Sequence, residues 1–512
     1  MSFITQLVNV FYVLLIGLLT LCVWKLFKFV SHFIYLNKKL SQVPGLPRHW
    51  LLGNARKGQV ENSKSVADIF VKAANAGHKV FCMWTGPIPT VGVIHPDSFK
   101  ELNRQTREKS KTALGGFRLV LPWIGDGLLS SEGNKWERNR KLLTPAFHFD
   151  ILNGYIDIMN DGSDILMDRF AKDTSKGNTI DIFPYVCKMT LDSMLRCSLS
   201  YSGSIQTKAS ESEEQYIEAV KRLSEILVSR LLNVPLLIDS IFYMLPIGKE
   251  FRQLCDRVHQ FTGNIIQSRT KELSALGEVD FTEGKKRRLD FLDILLTAKD
   301  NEGRGLSPQE IQDEVDTFTF EGHDTTASAI SWAIYALGKY PDLQQKVYKD
   351  VCNVVADSDI ITKDHLGQFA YMPKFIKEVM RYFSPVPVIE RTSNDKPVVI
   401  DGVEIPPNVS TWIHIYALHH NESVWPNHTV FDPERFDAGN RDGHDAYSFI
   451  PFSAGSRNCI GQVFAMNEIK INIAKVVKRF EITVDPSEEP VLLPNVVMRA
   501  ENGLNVGFKP RK

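Results

Sequence analysis

The sequence has no net charge: 60 Lys and Arg residues balance 60 Asp and Glu residues over 512 positions. A chain with no overall field lacks the long-range attraction that draws proteins to nucleic acid, so nucleic-acid binding is disfavoured and any charged partner must meet a local patch. Paired cysteines are also missing. Cys22, Cys82, Cys187, Cys197, Cys255, Cys352 and Cys459 are odd in number, far apart, and contain no CxxC pair. Support for a disulfide framework or a structural zinc site is therefore absent, and a reducing compartment fits best. No Gly-x-Gly-x-x-Gly occurs, and Gly125-x-Gly127-x-x-Ser130 lacks the third glycine, so a built-in nicotinamide or flavin domain is not expected. There is no internal repeat and no long low-complexity tract. With 43% hydrophobic residues a sizeable core is available, and the length allows about three domains as readily as one large body.

One run is wholly uncharged. The 22 residues from Phe3 to Trp24, at about 1.5 Å rise each, make roughly 33 Å of helix, enough to cross a hydrocarbon core of about 30 Å. This apolar stretch is longer than a normal secretory-signal core, and no small-x-small cleavage site precedes Lys25. Lys25, Lys28, Lys38 and Lys39 follow the span, so the positive-inside rule directs the remainder to the cytosol. Pro44-Gly45-Leu46-Pro47 and Gly53-Asn54 then forbid helix continuation and stiffen a linker. The expected organisation is an anchor over 1–28, a basic and proline-rich hinge over 29–54, and one body over 55–512. The run Lys285 to Arg288 reads as a solvated loop.

The best-defined helix starts at Ser307. Ser307, Pro308 and Glu310 form an N-cap, a first-turn proline and a capping box, and the apolar periodicity continues to about Tyr340. Its middle reads Phe320-Glu321-Gly322-His323-Asp324-Thr325-Thr326. Gly322 costs about 1 kcal/mol relative to alanine in a helix interior, and Thr325 can bond back to the preceding turn. Thr317, Glu321, Asp324 or Thr325, and Ser328 follow helical spacing. Such a stripe faces either a cavity or a polar helix interface.

Near the C-terminus, Pro451-Phe452-Ser453-Ala454-Gly455-Ser456-Arg457-Asn458-Cys459-Ile460-Gly461 leads into an apolar-periodic segment. The loop delivers Cys459 to a helix start, where free amides and the helix dipole favour a thiolate. Gly455 and Gly461 permit positive φ or close approach of a flat ligand, and Arg457 can pair with an acidic group on it. A thiolate so placed has three uses: nucleophile, redox sensor or axial metal ligand.

Phe452-x-x-Gly455-x-Arg457-x-Cys459-x-Gly461 resembles the haem-binding loop of the haem-thiolate cytochrome P-450 monooxygenases at every fixed position. Trp136-x-x-x-Arg140 resembles that family's C-helix motif, Glu378-x-x-Arg381 its K-helix pair, and Pro433-Glu434-Arg435-Phe436 the segment that completes a buried Glu-Arg-Arg network. Glu314 to Thr326 is similar to the signature of family 4, typified by fatty-acid omega-hydroxylases. Two positions depart from the pattern: Thr319 stands where methionine is usual, at a position expected near the pocket, and Ser456 replaces a proline.

The resemblance implies a mainly helical fold with small β-sheets, a single large haem domain behind an N-terminal transmembrane helix. It implies haem b as cofactor, with Cys459 as the axial iron ligand. Trp136, Arg140, Arg457 and, on a shorter Pro-x-x-x-Arg match, Arg391 would hold the propionates, with Phe452 and Gly461 in the loop beneath. Asp324 and Thr325 resemble the family's acid-alcohol pair for proton supply. Glu321 resembles the residue that forms an ester with a haem methyl group in many family members. The implied activity is insertion of one oxygen atom from O2 into a C-H bond of a lipophilic substrate, foremost at the terminal carbon of fatty acids. The implied partners are an NADPH-dependent flavoprotein reductase, which Lys135, Arg138 and Lys141 could receive, with cytochrome b5 as a further donor. The implied location is the endoplasmic reticulum membrane, crossed once with the catalytic body in the cytosol. Alternatives are a xenobiotic, isoprenoid or steroid hydroxylase, a reductase-independent lipid-peroxide isomerase, and a haem carrier or sensor. The segment from Tyr201 to Leu245 is expected to supply pocket lids and a second membrane contact.

Overall fold

The computed structural model describes residues 2–50, 52–54, 62–109, 111, 116–175, 177–275, 290–300, 302–437, 439 and 445–511. The run Lys285 to Arg288 lies outside them. Helices carry most of the chain. The apolar N-terminal run forms helix α1 (Ser2–Lys39), long and apolar enough to cross a membrane and exposed along that stretch. Its C-terminal end is different: Leu36, with Leu40 and Val43 beyond the helix, is buried against a small sheet. The proline-rich segment that follows is strapped to the same sheet through bridges from Gly45 to Cys82 and from Gly53 to Thr85. A Cβ on Gly45 would stand 2.6 Å from the Cys82 carbonyl oxygen, so the close approach requires glycine.

That sheet contains β1 (Val80–Thr85), β2 (Ile88–Val93), β3 (Ile389–Arg391) and β4 (Ser410–Ile413) in the order β1-β2-β4-β3. The β2-β4 pair is parallel and the other pairs are antiparallel. The helical body includes α2 (Gly133–Leu143), α3 (Phe183–Ser198), α4 (Glu211–Leu232), α5 (Pro308–Lys339), α6 (Met372–Phe383) and α7 (Gln462–Arg479).

Helix α5 begins as its sequence predicts. The Ser307 hydroxyl accepts from the Glu310 amide at 3.2 Å, and the Glu310 carboxylate accepts from the Ser307 amide at 2.9 Å. The helix ends at Lys339, one residue before the Tyr340 cap and the helix-breaking Pro341. Its 32 residues span about 48 Å through the middle of the core. Helix α3 packs closely against it: Thr190 donates to the His323 carbonyl at 3.0 Å, and a Cβ on Gly322 would come within 2.6 Å of Met194 Sδ. The glycine that weakens the helix locally makes room for that neighbour.

Helix α7 carries a carboxyl group with both oxygens buried and unpartnered among the described residues, that of Glu468. Burial pushes its pKa up to about 8. An unfolded glutamate titrates near 4.3, so between about pH 4.3 and 8 the folded chain binds the extra proton, and the stability this group contributes falls as pH rises through that window. Glu468→Gln is expected to be more stable than the parent at about pH 8.5, with the gap closing or reversing near pH 6. Urea midpoints at the two pH values test this; a gap independent of pH would reject it.

Candidate active site

The Cys459 loop turns on Ser453 and Gly455, with φ of 60° and 73°. A Cβ on Gly455 would lie 2.4 Å from Asn103 Nδ2, so glycine is required there. Gly461 has a φ of −86°, caps α7 and lines the cavity, with nothing nearer than 3.9 Å to a Cβ built on it, which leaves the side open to a flat ligand. The loop is closed by the Cys459 amide donating to the Phe452 carbonyl at 2.9 Å.

The Cys459 sulfur opens into a cavity deep in the fold. Burial pushes the thiol up to about 11 and the Glu321 carboxylate adds to the shift, while the Gly461 amide and Arg140 oppose it. Desolvation thus outweighs the helix-start effect expected from the sequence. Cys459 is exposed to this cavity, and a bound metal ion deprotonates its thiol ligand outright, so the raised pKa leaves the metal-ligand use open.

The cavity encloses about 1520 Å³ of atom-free space, its open mouth included. Cys459, Phe452, Ile460 and Gly461 form one wall, and Glu321, Gly322, Thr325, Thr326 and Ala329 of α5 another. Trp136 and Arg140, four residues apart on one face of α2, both reach the cysteine loop. The Arg457 guanidinium lies 4.2 Å from the Trp136 ring centroid, and Arg140 donates to the carbonyl and Oδ1 of Asn458, each at 3.0 Å.

Positive charge gathers at one side. Arg391 and Arg457 line the cavity, and burial lowers both to about 10. Arg457 donates to the carbonyls of Arg107, Leu128 and Ser131. Arg391 donates to the Glu390 carbonyl and Ser453 Oγ, but its Nε is buried with no partner among the described residues. Sequence reasoning missed a third cation. Lys109 is 4% exposed, lines the same cavity, and donates to the Glu390 carbonyl at 3.0 Å. Burial and the two arginines hold its pKa well below the usual lysine range. One lysine in a charged stretch gives no signal of burial; only the fold reveals it. Buried cations with an unsatisfied donor, facing a cavity floored by a thiol, fit a flat cofactor that carries carboxylates and binds through iron.

The polar stripe of α5 divides. Glu321 and Thr325 line the cavity, with Thr325 Oγ1 donating back to the Glu321 carbonyl at 2.7 Å. Burial raises the Glu321 carboxyl to about 7, against the pull of Lys109. Thr317 and Ser328 instead make interface bonds, to the carbonyls of Ile124 and Met498. Asp324 also turns away from the cavity and pairs with Arg499 at 2.6 Å. Thr319 is buried, donates to Val315 at 2.6 Å, and is absent from the cavity wall, so the departure from methionine does not reshape the pocket directly.

A second, apolar chamber of about 1470 Å³, its open mouth included, shares Lys109, Leu129, Glu321, Thr325, Val386 and Ile389 with the first. Leu227, Leu231 and Leu232 of α4 line it, as expected of the lid segment, while Ile238, Ile241 and Met244 farther along are exposed. Of the basic residues expected to receive a reductase, Lys135 pairs with Asp126 and Arg138 with Glu310, and Lys141 is exposed.

Comparison with known proteins gives consistent matches. Residues 43–507 match the family model described as Cytochrome P450. The chain is 38% identical to Cytochrome P450 4A6 of Oryctolagus cuniculus, over 97% of this chain and 95% of that protein. It is 37% identical to Cytochrome P450 4A11 of Homo sapiens, over 96% and 93%. It is also 38% identical to a taurochenodeoxycholic 6 alpha-hydroxylase of Sus scrofa, over 93% and 92%. Among solved structures, the cytochrome P450DA heme domain covers 98% of its own chain and 92% of this one with a TM-score of 0.78 at 21% identity, a likeness in fold.

Proposed function

Because the chain belongs to the cytochrome P450 family, we propose that this haem-thiolate monooxygenase hydroxylates long-chain fatty acids at or near the terminal carbon. The family implies haem b, and electrons from NADPH through a reductase. The haem supplies O2 activation when bound through a thiolate. In the balanced reaction, a C-H bond, O2, NADPH and a proton yield an alcohol, water and NADP+. Cys459 would ligate the iron in this reading, and Lys109, Arg391 and Arg457 would hold the carboxylates, with Trp136 against Arg457. Arg140 fixes the cysteine loop through Asn458, and Phe452 and Gly461 complete the floor. Thr325 holds water at the reacting end, and Asp324 supplies protons. Glu321, on the cavity wall, would lock helix and cofactor together if esterified to the haem.

The observation that carries the substrate proposal is the apolar chamber opening onto Glu321 and Thr325. An extended alkyl chain gains about 25 cal/mol per Å² of apolar surface buried there, and its end would reach the reacting wall. The exposed apolar Ile238, Ile241 and Met244, together with α1, support a body resting on a bilayer; the location proposed is the endoplasmic reticulum with the catalytic side cytosolic, the side on which Lys25, Lys28, Lys38 and Lys39 follow the span. Lys141 remains available for a flavoprotein reductase, with cytochrome b5 as a further donor.

The test supplies reductase, NADPH and fatty acids of several chain lengths and maps the hydroxyl position. Terminal alcohols are expected as the main products; exclusive oxidation of bulky ring compounds, the chemistry in the name of the pig relative, would reject the proposal. The same preparations address the ester: acid and organic solvent should extract less haem from the parent than from Glu321→Ala, and equal extraction would exclude it.

A further inference from the structure

Asp324 is 1% exposed, with Oδ1 held by Arg499 Nη2 at 2.6 Å and Oδ2 buried without a partner among the described residues. The arginine is itself packed over the Phe183 ring at 4.6 Å. As found, the acid faces away from the cavity that its neighbour Thr325 lines. An ion pair this deep is held firmly, because separating its charges in a low-dielectric interior leaves each one uncompensated.

Arg499 belongs to a hairpin of two further strands, β5 (Leu492–Pro494) and β6 (Met498–Ala500). The residues from Pro494 to Val497 at its tip line the apolar chamber. Just beside that tip it is pinned to α5, where Ser328 Oγ and Trp332 Nε1 both donate to the Met498 carbonyl, at 2.7 and 3.3 Å. One short element therefore touches both the substrate space and the proton-handling acid, only one residue past the pin.

We propose that Arg499 is a positioning residue for proton supply: it holds Asp324 away from the cavity in the empty enzyme, and a chain filling the chamber shifts the hairpin and loosens that hold. The inference rests on the reading of Asp324 as the proton source and of the apolar chamber as the substrate space. Its consequence is that protons reach the cavity chiefly when there is a substrate to hydroxylate, which limits wasteful NADPH consumption.

Two measurements test it on the full-length, haem-loaded protein with a fatty acid that the parent turns over. The first is infrared difference spectroscopy of the carboxylate region, with the Asp324 band identified by its loss in Asp324→Asn. Adding substrate should shift that band in the parent, whereas Arg499→Gln should show the shifted band with no substrate present. The second is NADPH consumption without substrate, which should rise about fivefold in Arg499→Gln, return towards the parent in Arg499→Lys, and not rise when Asp324→Asn is also present. A band unmoved by substrate, or a rise that persists in the double variant, overturns the proposal. The site reading fails separately, if Asp324→Asn alone leaves reductase-driven turnover intact.

Discussion

Cys459→Ser is expected to drop NADPH-driven turnover to background, a loss on the order of 10³-fold or more, and to remove the long-wavelength absorption of the reduced carbon monoxide complex. Serine is close in size and preserves the loop, whose closing bond runs between the backbone groups of residues 459 and 452. What it lacks is a donor that iron can hold as an anion and that pushes electron density towards bound oxygen. Cys459→His separates ligation from thiolate character: it should retain haem while losing both the absorption and turnover. If either variant keeps the long-wavelength absorption, another sulfur is the ligand. Among the described residues Cys459 is the one cysteine on the cavity wall, so that outcome would require the site itself to be wrong.

The residues that could be read in the sequence are those whose spacing is imposed by local geometry. The capping box at Ser307, the turn glycine Gly455 and the four-residue interval between Trp136 and Arg140 each follow from one helix turn or one tight loop, and each is found in the fold. Charge placement across the chain was less legible. Lys109 reaches the cavity through the Glu390 carbonyl, 281 positions away, and Arg499 finds Asp324 across 175; no periodicity announces such pairings. The stripe on α5 was half legible for the same reason. Helical spacing puts Thr317, Glu321, Thr325 and Ser328 on related faces, but which of them meet a cavity depends on what packs opposite. Ile124 and Met498 supply carbonyls to two of the hydroxyls and leave Glu321 and Thr325 to the open side. The acidity of Cys459 shows the limit of local reasoning most directly, since a helix start lowers a thiol pKa and this one is raised by the burial around it.

Glu378→Ala is expected to destabilise the fold by about 3–5 kcal/mol, a large share of the stability of any single domain. The family resemblance implies a buried network and not an exposed pair worth about 0.3 kcal/mol, and the fold buries it. Glu378 and Arg381 are both fully buried, joined by two bonds of 2.7 Å. The Asp432 amide donates to the same carboxylate at 2.8 Å, and Arg435 stands 3.7 Å away. Arg381 also donates to the carbonyls of His419, His428 and Val430. Removing the carboxylate leaves two cations without their counter-charge and the Asp432 amide without its acceptor. The damage should reach the cofactor site as well, because His419 accepts from the Ile450 amide at 3.1 Å, immediately before the loop that carries Cys459. Urea unfolding and haem retention on gel filtration measure the two effects. Glu378→Leu combined with Arg381→Met separates them. Replacing both charges by apolar groups of similar size can restore stability, but the carbonyls of His419 and His428 then lose the Arg381 donor. Stability is therefore expected to recover by more than half while haem retention stays low; recovery of both would make the pair a source of stability alone.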